Sequence, residues 1–379
     1  MHKIALSQTD RQTDRQTDRQ TDRQTDRQTD RQTDRQEYHA VDVMKFIMAI
    51  FIVALHLHPF QDVSPVLDYW SSAFLTRCAV PYFFVAAGFF LYRKMSDGVV
   101  SWPLLQRYCV RILRIYLVWT VIYLPWIYYE VMGGQLTAHN LLVFLRNTLV
   151  SGSYWQLWFL NALVVAALLV ALFLYWRWSF RRIFLVTCLT YCGVLMACGY
   201  HGLYVSLAPA GSMLDALMNL LEKFFVRPRD GICFGAVYVA LGAYIAIRKP
   251  QHSMTGLCVG TILSWLAFAA EVYVLTQLQL IADKDAFIAL LPVAYFTFLL
   301  SQRVVLPESW CYHWLRKLST FVFLVHPVWY TFMRYLQRSL LGLELYSMLT
   351  FVGALLLSIL SGVLLILSGQ KVYFLRNLC

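Results

Sequence analysis

Between Ala40 and Pro59 the apolar stretch AVDVMKFIMAIFIVALHLHP carries Asp42, Lys45 and His56. Ionisable groups inside such a run are costly in lipid and mark a site or a passage. On a helix, the step from Lys45 to His56 returns to within about 20° of one face and rises roughly 16 Å. Asp42 lies one turn before Lys45 on a similar face. The stripe would run from a mouth at one membrane surface to an imidazole well across the bilayer. An unperturbed imidazole titrates near about pH 6.5 and can take a proton from a hydroxyl, so His56 is the candidate general base. Snorkelling of Lys45 and an interfacial His56 would explain each residue singly, but not their shared face.

A second constellation lies in RYCVRILRIY, where Arg107, Arg111 and Arg114 follow i, i+4, i+7 spacing and project from one helix face. Interfacial anchoring accounts for part of this, but Arg114 lies deeper than anchoring needs. Guanidinium groups grip phosphate oxygens in pairs and stay charged when partly desolvated, so a ligand with several phosphates suits this face. A third feature is His326 before Pro327 in FLVHPVWY. Proline leaves a backbone carbonyl unbonded, and a buried His either satisfies it or contributes to a site. Both readings stand at this point. Glu271 is a further intramembrane acid with no partner assignable from sequence. The nine cysteines are scattered without CxxC or Cys/His spacing, so neither a metal centre nor a disulfide framework is expected.

These side chains need elements to hold them. Hydrophobic residues make up 59% of the chain and charged residues 14%, against about 25% charged in a water-soluble domain. Apolar runs near the length that crosses a roughly 30 Å hydrocarbon layer recur, and the alternating segments of a membrane β-barrel do not. The expected fold class is all-α: a polytopic transmembrane bundle of about ten helices. The spans read as 41–60, 71–92, 109–129, 155–176, 182–200, 231–248, 254–276, 285–302, 319–336 and 347–368. Met213 to Val226 reads as an amphipathic interfacial segment. Basic residues at the span ends favour both termini in the cytoplasm. The net charge of +11 then follows the positive-inside pattern, and no nucleic-acid partner is expected.

Residues 1–39 read as a disordered cytoplasmic arm, and 40–379 as the membrane domain. Thr9 to Gln36 is seven perfect copies of TDRQ, with no apolar residue to bury. TDRQ can be written ACA-GAC-AGA-CAG, a repeated ACAG tetranucleotide. Slippage by one unit would shift the reading frame, so the tract is expected to be a phase-variation switch. A flexible tail with no further role describes the arm equally well.

The pattern resembles the acyltransferase-3 family of bacterial integral membrane acyltransferases. Members carry a basic residue, ten intervening residues and a His on the first helix, matched by Lys45 and His56. Their Arg-x-x-Arg motif is matched by Arg111 and Arg114. VPYFFVAAGFFLY, WQLWFLNAL and FLVHP are similar to the family's VPFFFxxSGY, LWFL and YLxH segments, in order from about Ala40 to the C-terminus. Ala87 stands where many members have Ser. The periplasmic domain attached to some members has no counterpart, which implies a membrane domain acting alone or with a partner.

The resemblance implies transfer of an acyl group, usually acetyl, from cytoplasmic acyl-CoA to a hydroxyl at the outer side of the bacterial cytoplasmic (inner) membrane. His56 would be catalytic. Arg111 and Arg114, with Lys45 and Arg107, would bind the acetyl-CoA or other acyl-CoA co-substrate, and Asp42 and His326 would support the site. No permanently bound cofactor is implied. A phase-variable product suits an exposed surface polysaccharide or its lipid-linked precursor as acceptor, with glycan-assembly proteins as partners. An acyl-His intermediate and direct transfer both remain open. Two alternatives stand beside this: a transporter or flippase for a lipid-linked glycan, and a membrane sensor or amino-acid-handling module like the membrane half of some serine racemases.

Overall fold

A computed structural model of the chain describes residues 38–95, 98–224, 231–340, 342 and 346–368. The TDRQ repeat lies outside the described residues. All regular structure among them is helical. Each of the ten stretches expected to span carries a helix. By length and composition six helices can cross a membrane, or seven when one bent pair counts as a single span. The chain is a multi-pass membrane protein.

The first helix, α1 (His39–Leu57), ends when His58 enters the left-handed region at φ 49°. The His58 imidazole meets Asp68 at 3.0 Å, which holds the turn. His56 therefore occupies the last turn of α1, and the expected span to residue 60 is shorter by three residues. Helix α2 (Pro65–Ala73) begins with Pro65 and the Ser64 side chain as cap, and a tight turn at Leu75–Cys78 leads into α3 (Ala79–Tyr92). The stretch expected as one span at 71–92 lies within Pro65–Tyr92, which remains a single candidate span across that turn.

Helix α4 (Trp102–Ile122) carries the three arginines and then turns by 56° into Leu124–Glu130. Pro125 lacks an N–H for the preceding turn, which accounts for the bend. Then follow α5 (Ala138–Val150), α6 (Trp158–Tyr175), α7 (Phe180–Ala197), α8 (His201–Leu207) and α9 (Met213–Phe224). Helix α9 covers the described part of the expected amphipathic segment. The remaining helices are α10 (Ile232–Arg248), α11 (Met254–Gln277), α12 (Leu290–Arg303), α13 (Cys311–Tyr335) and α14 (Ser347–Ser368).

Lipid tails are as apolar as the side chains facing them, so close packing is what holds such helices together. Helices α3 and α10 show this directly. A methyl group on Gly88 would lie 2.5 Å from the Val239 carbonyl oxygen, and one on Gly242 would meet that of Val85. Buried hydroxyls add directional ties: Tyr82 pairs with Ser301 at 2.8 Å, and Tyr92 donates to the Ala167 carbonyl at 2.6 Å.

Glu271, unassigned from sequence, caps a helix. Its carboxylate accepts the N–H groups of Ile288 and Ala289, each at 2.7 Å, and the Tyr200 hydroxyl at 2.6 Å. Unpaired N–H groups at the start of α12 favour an anion there, which explains an acid inside an apolar helix.

Candidate active site

Helices α1 and α13 run parallel and in contact, because they meet at both ends. His39 stacks on Tyr312 at 4.6 Å between ring centres, and His56 stacks on His326 at 5.4 Å. The two helices thus define a lysine end and a histidine end of one site.

At the lysine end Asp42 is buried, and the Lys45 ammonium lies 4.2 Å from the centre of the Phe90 ring. Lys45, Arg316 and His39 all lie within electrostatic reach of Asp42. Arg93 covers Tyr38 at 4.7 Å, and Tyr38 in turn packs on Phe89 and Phe90. Arg316, on α13, was not singled out from the sequence. Its place one helix away from Asp42 is visible only in three dimensions.

The three arginines of α4 share an exposed face, opposite the buried residues Cys109, Tyr116 and Trp119. Arg107 donates from Nε to the Pro103 carbonyl at 3.1 Å. Arg111 and Arg114 make no hydrogen bond or ion pair among the described residues, so their donors are open to a ligand. The structure therefore joins Asp42 to Lys45 and His56 to His326, and leaves the arginine row as a separate cationic face.

At the histidine end the geometry bears out the backbone reading of His326. Pro327 deprives the Phe323 carbonyl, four residues earlier, of its helical N–H. The His326 Nδ1 takes that place at 2.9 Å, with the Val322 carbonyl at 3.3 Å. A carbonyl only accepts, so Nδ1 carries the proton and Nε2 presents a lone pair. His326 is fully buried, and its Nε2 has no partner.

The next carbonyl, Leu324, accepts from the Tyr123 hydroxyl at 2.6 Å and from Gln156 Nε2 at 2.9 Å. The same acceptor argument fixes the Gln156 amide, whose Oε1 is buried and unpartnered. Tyr123, Tyr154 and Trp155 form a stack with ring separations of 4.6 and 5.5 Å. Trp155 lies 6.3 Å from His56 and 5.7 Å from Tyr330. Tyr154, in the segment before α6, donates to Glu130 at 2.8 Å. Burial, and then that carboxylate, push its phenol above the ordinary value, so it remains a donor.

Gln156 and Tyr123 were not picked out from sequence. A glutamine between tryptophans in SYWQLWFL was the available signal. The arrangement can hold a hydroxyl near two imidazoles at one end, and can receive a polyanion at the basic positions nearer the other.

An acyltransferase domain family matches residues 38–367, nearly all of the chain. The chain belongs to the acyltransferase-3 family. The match begins one residue before α1 and ends one residue before the end of α14, so it takes in every helix described above. An amino-acid racemase of Enterococcus faecalis is 28% identical over 210 residues, 55% of this chain and 28% of that protein. A serine/alanine racemase of Enterococcus gallinarum is 25% identical over 291 residues, 76% of this chain and 40% of that protein. The chain thus spans less than half the length of these curated relatives. No solved structure matches the chain.

Proposed function

We propose that the chain is a membrane O-acyltransferase that moves an acyl group, acetyl in the first instance, from cytoplasmic acyl-CoA to a hydroxyl of a surface polysaccharide or its lipid-linked precursor. The observation that carries the reading is the two-ended site along α1 and α13. Asp42, Lys45 and Arg316 gather at one end, and His56 lies beside His326 at the other.

Arg111 and Arg114, aided by Arg107 and Lys45, receive the phosphates of coenzyme A by charge-assisted hydrogen bonds. Asp42 keeps Lys45 in place at the mouth. In direct transfer, the acceptor oxygen attacks the thioester carbonyl while His56 takes the hydroxyl proton. The carbon–sulfur bond breaks, coenzyme A leaves as the thiolate, and the proton returns to it or to water. With the lysine end cytoplasmic, donor and acceptor approach the site from opposite faces of the inner membrane. Both termini are then cytoplasmic.

The test is the ester content of the surface glycan, by mass spectrometry, in a deletion strain carrying the wild-type chain, His56→Ala or Arg114→Ala. Esters should appear only with the wild type. Unchanged esters in the deletion strain would remove the acyl-transfer reading. Esters retained by His56→Ala would remove only its assignment as base.

The racemase names of the two relatives favour a second reading, in which the membrane domain handles an amino acid. Most of each relative has no counterpart in the alignment, so those names bear weakly on these helices. Altered amino-acid pools with unaltered esters in the deletion strain would favour it.

A further inference from the structure

Two fully enclosed atoms at the histidine end lack partners, and both are acceptors. His326 is 0% exposed and Gln156 1%. Nδ1 of the one and Nε2 of the other are committed to consecutive carbonyls of α13, Phe323 and Leu324. The atoms left over, His326 Nε2 and Gln156 Oε1, offer only lone pairs. A buried polar atom without a partner is costly, so a ligand that satisfies both must bring donors. A phosphate or carboxylate would set negative charge against these lone pairs and is excluded. The polyanionic part of the donor therefore belongs elsewhere, at the arginine row.

Beside these atoms stands an aromatic surface. Trp155 is 40% exposed, although Tyr154 stacks on it at 5.5 Å with 11° between planes. Tyr330 and His56 flank it at 5.7 and 6.3 Å. One region of the indole is supported by the buried Tyr154 ring and another is open. An open, rigid indole beside hydrogen-bond acceptors fits a ligand with an apolar face and a rim of hydroxyls.

We propose that Trp155, His326 and Gln156 form the acceptor subsite, holding a carbohydrate ring on the Trp155 indole while its hydroxyls donate to His326 Nε2 and Gln156 Oε1. This rests on the acyl-transfer reading and specifies its acceptor end. A ring seated there has a hydroxyl beside His56, and the two lone-pair atoms select which one. Trp155, His326 and Gln156 touch the acceptor, whereas Tyr123 positions Gln156 through their shared carbonyl.

The test is binding without any donor, so that it does not depend on turnover. The full chain in lipid nanodiscs is titrated with tritiated oligosaccharides cut from the host cell's surface polysaccharide and stripped of esters with alkali. The wild type should bind, and Trp155→Ala and Gln156→Leu should each weaken binding about tenfold. Trp155→Phe should recover most of the affinity, because it keeps a ring. His326→Asn keeps a donor for the Phe323 carbonyl but lacks an Nε2 equivalent. It should weaken binding while unfolding at the wild-type temperature, which a purely structural role would not produce.

No binding by the wild type, in cells whose glycan esters do depend on the gene, would overturn this subsite and leave acyl transfer standing. Undiminished binding by both Trp155→Ala and Gln156→Leu would overturn it too. So would displacement of the oligosaccharide by millimolar free serine or alanine and not by methyl glycosides.

Discussion

Replacing His326 tests whether its imidazole completes the backbone that Pro327 leaves open. In the wild type the Phe323 carbonyl accepts from His326 Nδ1 at 2.9 Å. His326→Ala removes that donor and also the packing of a buried ring. Pro327→Ala restores the helical N–H at that position, so the carbonyl no longer needs the imidazole. The packing loss is common to both backgrounds, and the double-mutant cycle cancels it. Hydrogen bonds within membranes contribute about 0.6 kcal/mol on average and up to about 1.7 kcal/mol. A carbonyl stranded in a dry interior lies at the upper end, so the expected coupling is about 1–2 kcal/mol. Unfolding in detergent can be followed by a thiol-reactive fluorophore, because the Cys78, Cys109 and Cys233 thiols are buried. His326→Ala should therefore cost about 1–2 kcal/mol more with Pro327 present than in the Pro327→Ala background. An equal cost in both backgrounds would refute the assignment of Nδ1 to the freed carbonyl, and with it the argument for a bare Nε2.

Three further outcomes are expected. Glu271→Gln should destabilise the protein by about 1–2 kcal/mol in the same assay, because one amide oxygen cannot serve two N–H groups and a tyrosine hydroxyl as a carboxylate does. Gly88→Ala should cost about 1–3 kcal/mol, since its methyl would press on the Val239 carbonyl where α3 crosses α10; unchanged unfolding would mean the two helices are not in that contact. The Gly211 N–H and then the Tyr204 hydroxyl hold the Asp215 carboxyl below its ordinary value. Its contribution is therefore present above the unfolded pKa of about 4 and lost as pH falls through the lower folded value, so the protection factors of the α9 amides, taken relative to the intrinsic exchange rate at each pH, should fall on acidification in the wild type and show no such step in Asp215→Asn.

The helical elements were largely legible because a span is a local property. Each of the ten apolar stretches read as a span contains helix, and six helices, or seven with the bent pair as one, are long and apolar enough to cross a membrane. Departures fall where a local break competes with hydrophobicity: the left-handed His58 and the bend at Pro125. A hydrophobicity reading sums over a window and passes over single residues that redirect the backbone. Glu271 looked like an orphan acid because its partners lie past the end of its own helix, on the backbone that starts α12.

The Lys45–His56 stripe was visible in the sequence because both residues sit on one helix, whose pitch alone decides which side chains share a face. The arginine row is of the same kind. What joins α1 to α13 is packing between segments nearly a whole chain apart, and no local rule sets that. Only the tertiary structure places His326 against His56 and Arg316 near Asp42. It also shows how His326 divides its two nitrogens, with Nδ1 closing the backbone and Nε2 left without a partner. Gln156 joins the histidine end for the same reason: its amide direction is set by a carbonyl on α13, which its own segment does not contain.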